Sequence, residues 1–227
     1  MAHKIEKALY GPSMWEVVGG AVLGLLAGVA VACVYLVFKP VATVRELPKE
    51  QPRGMVYYLP GSDSNARSAG WLAKQNLFAA GRTVQLNEDE LNAWMTASFG
   101  AVGAPKAQSE ESPAAADGII IPGKPNFKIT DNRLQIGLNC TLNWFGLKTD
   151  VTVQTTGDFR KDGDHFAYVP EKSYLGSCPL HFIPGASSLL ISRIAAKEKV
   201  PDEFRLAWNN LNEVVIVGGA LKLVAAH

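Results

Sequence analysis

Chemically reactive side chains are scarce in this chain of 227 residues. It holds three cysteines and four histidines. His3, His165, His181 and His227 are not spaced as a zinc-binding pair. No Cys-x-x-Cys, no Gly-x-Ser-x-Gly and no phosphate-binding glycine loop occurs. These gaps rank enzymatic activity lowest among the functional classes. The expectation is a protein with no catalytic residue, no metal site and no cofactor. Charge is sparse too, at 19% of residues, below the usual quarter. An excess of one sign is also missing. The 22 Lys plus Arg against 21 Asp plus Glu leave a formal charge of +1, so no nucleic-acid partner is indicated. With 48% hydrophobic residues the chain is not an intrinsically disordered one.

The mean hydropathy of +0.06 is high for a soluble protein, and one segment supplies much of it. Residues 14–38 read MWEVVGGAVLGLLAGVAVACVYLVF, with Glu16 as the lone charge at the outer edge. A helix of that length spans about 37 Å, more than the ~30 Å hydrocarbon core, and can cross with some tilt. Trp15 and Tyr35 lie near opposite ends, where amphipathic rings prefer the interface. Lys39 and Pro40 stop the helix. The run is too long for a signal-peptide core, and more apolar residues follow Ala30-Val31-Ala32, so a retained anchor is preferred over a cleaved signal. Gly20, Gly24, Gly28 and Ala32 recur every fourth position. That spacing keeps them on one helix face, where another helix can approach closely. The stripe is read as a contact with a second copy or with another membrane-protein subunit. Glycine is also common in membrane helices, so the spacing can arise without a contact. A count of flanking Lys and Arg favours a cytoplasmic C-terminal side. Long domains, however, cross largely regardless of such charges.

Residues 1–13 form a short polar tail. Residues 39–55, with three prolines and mixed charge, are expected to be a linker that lifts the rest off the bilayer. Residues 56–227 are long enough for a core of their own. Residues 66–80 carry Trp71, Leu72 and Phe78 at near-helical spacing, with Gly81 suited to the C-terminal cap. A short strand over 82–86 precedes a second helix, for which Asn87 and Glu90 have capping-box spacing. Glu88, Asp89 and Glu90 crowd its first turn, and helix capping explains them better than a metal site. Residues 104–118 are expected to be a mobile loop.

A sheet then begins. From residue 133, Leu134, Ile136, Leu138, Cys140, Leu142 and Trp144 alternate with Gln135, Gly137, Asn139, Thr141 and Asn143, the period of a strand with one apolar face. Asp131-Asn132 and Asp162-Gly163 mark hairpins. A helix over 187–199, with Leu189, Leu190 and Ile194 inward, supplies the cover. A short helix over 202–208 and a closing hairpin around Gly218-Gly219 follow. The fold class is α+β: an N-terminal transmembrane helix, then a curved antiparallel meander with helices on its apolar face.

Cys140 and Cys178 are 38 residues apart. A disulfide between them would contribute about 4 kcal/mol in an oxidising compartment. Two buried thiols are the equal alternative. Asp162-Gly163-Asp164 lacks the further ligands of a calcium loop and is a turn. His181 is read as a core or interface histidine.

The order of elements resembles the YpmS-like bacterial single-pass proteins and, more loosely, small bacterial relatives of the tubular lipid-binding domains. The likeness lies in Leu86-Asn87-Glu88-Asp89-Glu90-Leu91-Asn92, in Pro184 with Leu189-Leu190, and in the last hairpin. It implies an extracytoplasmic (periplasmic) domain on the cell membrane, with a sheet able to hold an acyl chain. Two functions follow as expectations. One is a non-catalytic accessory subunit or assembly factor of a membrane complex, docking through its glycine-faced helix and its domain. The other is a tethered lipid-binding module whose groove is lined by Leu134, Ile136, Leu138, Leu142 and Trp144; a filled core is the competing use of those five residues.

Overall fold

The structure is a computed structural model that describes residues 13–50, 52, 54–62, 70–103, 120–144, 147–195 and 202–226. Nearly all of the polar tail and the whole 104–118 loop lie outside the described residues. Helix α1 (Met14–Phe38) has a sequence long and apolar enough to cross a membrane. It starts at a capping box: Ser13 accepts from the Glu16 backbone N–H, and the Glu16 carboxylate accepts from that of Ser13. The one acidic residue of the segment is thus part of the helix start.

Part of the proline-rich stretch after α1 pairs with the start of the domain. Strand β1 (Ala42–Thr43) pairs in parallel with β2 (Tyr57–Tyr58). The Lys39 ammonium donates to the Gly54 carbonyl at 3.0 Å. Tyr58 is buried, its ring lying across β5 (Arg133–Trp144) at Gly137. A Cβ on Gly137 would stand 2.2 Å from that ring, so only glycine fits. Gln135 donates to the Leu59 carbonyl at 3.2 Å. Part of the strand face expected to be wet is therefore covered by the returning chain.

The meander is antiparallel throughout. It runs β4 (Ile120–Thr130), β5, β6 (Leu147–Asp162), β7 (His165–Leu175) and the short β8 (Cys178–Pro179), paired in chain order. Asp131 and Asn132 both take positive φ in the tight turn between Thr130 and Arg133, as a two-residue I′ hairpin requires. The alternation read from β5 holds: Leu134, Leu138, Cys140 and Leu142 are buried, and Val153 of β6 pairs opposite Leu138.

The cover of the apolar face is only partly the expected one. The closing hairpin does not join the meander. Strands β9 (Leu211–Val217) and β10 (Ala220–Ala225) make a second sheet with β3 (Val84–Asn87), in the order β3-β10-β9. With helices α2 (Trp71–Ala79), α3 (Glu88–Gly103) and α5 (Asp202–Asn209), this sheet closes one end of the face. The resulting core joins Leu134 and Phe127 to Phe78, Val84, Leu86, Leu91, Leu211, Val214, Ile216, Leu221 and Leu223. Each such aliphatic side chain contributes about 1.5–3 kcal/mol on burial. Phe78, Trp94 and Phe204 tie the three helices together, with ring centroids 5.5–6.0 Å apart.

At the other end, helix α4 (Ala186–Ala195) brings Leu190 onto a small cluster of Leu138, Cys140, Val153 and Leu175. Leu189, expected to face inward, is exposed, because α4 touches the sheet along one narrow face. The Ile194 side chain lies outside the described residues. Between the two cores, Thr155 and Ser173 share a buried hydrogen bond of 3.1 Å.

Candidate functional site

The most constructed feature outside the core is the junction between α1 and the turn after β7. The Ser177 backbone N–H donates to the Leu36 carbonyl at 2.9 Å, and its hydroxyl donates to the Lys39 carbonyl at 3.3 Å. The last carbonyls of a helix have no partner within it. Here the domain supplies one for Leu36. Gly176 takes φ +58°, and a Cβ there would lie 2.2 Å from the Val37 carbonyl. Both the backbone angle and the space exclude a side chain. Cys33, Leu36 and Val37, at helical spacing, are partly buried against the domain. Nothing in the sequence singled out Gly176-Ser177: a glycine followed by a hydroxyl between two strands carried no sign of what it would grip.

The remaining span differs. Residues 14–32 are exposed along their whole length. Gly20, Gly24 and Gly28 have no atom within 4 Å of where a Cβ would stand. Ala32, the last of the stripe, is likewise exposed.

The segment 87–92 is a clamp. The Asn87 side chain accepts from the Glu90 N–H at 2.8 Å, and the Glu90 carboxylate accepts from the Asn87 N–H at 3.0 Å. This is the capping box expected from the spacing. Glu90 also receives the Lys74 ammonium at 2.6 Å. Glu88 accepts from the backbone N–H groups of Ser62 and Ile129, at 2.9 and 3.0 Å. Asp89 accepts from the Ser62 hydroxyl. Asn92, nearly fully buried, donates to the Phe127 carbonyl and accepts from the Phe127 N–H, both at 2.7 Å. Glu88 and Asp89 are consumed in joining α3 to β4 and to Ser62, and Glu90 in capping α3 and pairing with Lys74 of α2. Among the described residues, no cluster of His, Cys, Asp or Glu could hold a metal ion.

Three of the five proposed groove residues pack into cores. Leu134 and partly buried Ile136 belong to the large core, and Leu138 to the small one. Leu142 is buried, and the Trp144 side chain lies outside the described residues. Both Cys140 and Cys178 are buried, and no disulfide joins them. Cys178 instead meets Cys33 at the junction. Burial and then that neighbour push the Cys178 thiol up to about 11, so it stays protonated and a weak nucleophile at neutral pH. His181 is engaged, its Nδ1 lying 3.2 Å from the Ser173 carbonyl and its ring packing edge-on to Tyr174.

Comparison with known proteins gives no match: no family model, no curated protein and no solved structure is similar to the chain. None of the three adds support to the likeness to the YpmS-like proteins.

Proposed function

We propose that the protein is a single-pass, non-catalytic accessory subunit or assembly factor of a membrane complex. The bilayer part of α1 docks on a neighbouring helix, from a second copy or another subunit, and the domain lies on the extracytoplasmic side. The observation that supports this reading is the contrast within α1. Its stripe of Gly20, Gly24, Gly28 and Ala32 is open, while its final turn is hydrogen-bonded to the domain. A partner held by the stripe is thereby held at a fixed position relative to the domain. In lipid, close backbone approach at small residues is a main source of helix association. The lipid-module reading has weaker support, since Leu134, Leu138 and Leu142 already serve as core. The placement of the domain rests on the sequence likeness, and a cysteine added between residues 104 and 118 tests it. That residue should react with a membrane-impermeant thiol reagent in intact cells.

The test of docking is Gly24→Ile in the full chain. Co-purification of partners in mild detergent should be lost while the thermal unfolding of the domain is unchanged. Survival of every association would remove the reading.

A further inference from the structure

We infer that the segment from Phe182 to Leu189 is a membrane-surface contact: it rests its apolar side chains in the interface of the bilayer that α1 crosses. Phe182 is 77% exposed, Leu189 60% and Ile183 42%, with exposed Pro184 and Gly185 between them. Ile183, Pro184, Gly185 and Leu189 border an open concavity of about 650 Å³, with Phe182 next in the chain. A contiguous apolar patch facing water marks a contact surface.

Its position names the occupant. Ser177 is bonded to the end of α1, and Phe182 follows only five residues later, within about 17 Å even if fully extended. A helix needs about 20 residues to cross the hydrocarbon core, so with Trp15 at one interface α1 leaves near residue 35. That is the turn Ser177 grips. The junction therefore fixes Phe182 and Ile183 close to the level where the bilayer ends. His181 sets the direction. Its Nδ1 stands 3.2 Å from the Ser173 carbonyl and its ring packs on Tyr174, which holds the short 3-10 turn Leu180–Phe182 against β7 and leaves Phe182 pointing out. In α4, Leu190 faces the small core while Leu189 lies on the free side.

Charge agrees. From residue 172 to residue 197 the sequence has no Asp or Glu, whereas Lys172, Arg193 and Lys197 occur in it. The stretch therefore holds no carboxylate for anionic headgroups to repel, and basic residues in it favour such a surface. An apolar loop and a short amphipathic helix beside a basic flank have the composition of an interfacial anchor. The contact adds a second attachment beside α1 and holds the domain at a set tilt over the membrane.

The test uses the full chain in nanodiscs of phosphatidylcholine with a minor fraction of phosphatidylglycerol, with and without bromine on the acyl chains. Phe182→Trp and, separately, Leu189→Trp add a reporter at exposed positions that tolerate it. Leu206→Trp is the control, since it lies on α5, where Trp208 bonds to Phe166 at the opposite end of β7. Emission added by either loop tryptophan should fall about twofold in brominated discs, as expected for a ring among the upper acyl carbons, while that of Leu206→Trp should not. Equal emission in both discs from the two loop variants, with circular dichroism matching the parent, overturns the inference. So does quenching that is as strong at Leu206→Trp. The result is independent of the glycine stripe, because the discs contain no partner protein.

Discussion

Leu134 and Leu138 stand on the same face of β5, yet they belong to different cores. Leu134 sits in a cluster closed by a second sheet and three helices. Leu138 shares a cluster with Cys140 and Val153, covered by Leu175 and one leucine of α4. The hydrogen-bonded Thr155–Ser173 pair lies between them. The first end is roofed by its own chain. The second borders α1 and leaves Phe182, Ile183 and Leu189 in the open. A sheet with one apolar face must cover all of it. This one covers its far half with its own chain and leaves the near half thinly roofed, beside the long apolar helix α1.

Three substitutions separate the two ends. Leu86→Ala should have the largest effect: at 1% exposure in the closed core it should cost about 2–5 kcal/mol. Chemical denaturation of the full chain in detergent measures it. A loss under 1 kcal/mol, below the range for leucine truncation, would mean the far core is looser than described. Asn92→Ala should come next. It strips both partners from the Phe127 backbone at a buried site, for about 1–3 kcal/mol by the same assay. Gly176→Ala should be smallest in global stability and most local. Its φ and the nearby Val37 carbonyl oppose a Cβ, so the junction should open. Amide exchange across 176–190 should quicken while that of β9 and β10 stays as it was. Equal acceleration in both regions would show that the two ends unfold as one unit.

Much of the fold was legible because short-range physics wrote it. The period of β5 follows from burial of one face, and the Asp131-Asn132 turn follows from residues that accept positive φ. The capping box at Asn87 and Glu90 was visible in spacing alone. What was not legible depends on partners distant in sequence. Nothing in Gly137 announces Tyr58, and nothing in Ser177 announces Leu36. The inward face of the 187–199 helix was misassigned at Leu189 because periodicity names an apolar side without saying how wide the contact is. The same limit applies to the groove candidates. Alternation assigns them to one side of the strand, but the choice between a filled core and an open trough depends on β3, β9 and β10 over Leu134 and on α4 over Leu138, elements that sit far away in the chain.

The Asn92 amide has one more consequence. Strand β4 is the first in its sheet, and among the described residues no strand pairs with it on the side away from β5. A bare strand there would invite another polypeptide to add itself and lengthen the ladder. Asn92 occupies both polar groups of Phe127, and Glu88 takes the next available N–H, at Ile129. Two side chains from one helix thus mimic a neighbouring strand and end the sheet. Strand addition is thereby opposed at residues 127–129 of that border, which favours association through other surfaces of the molecule.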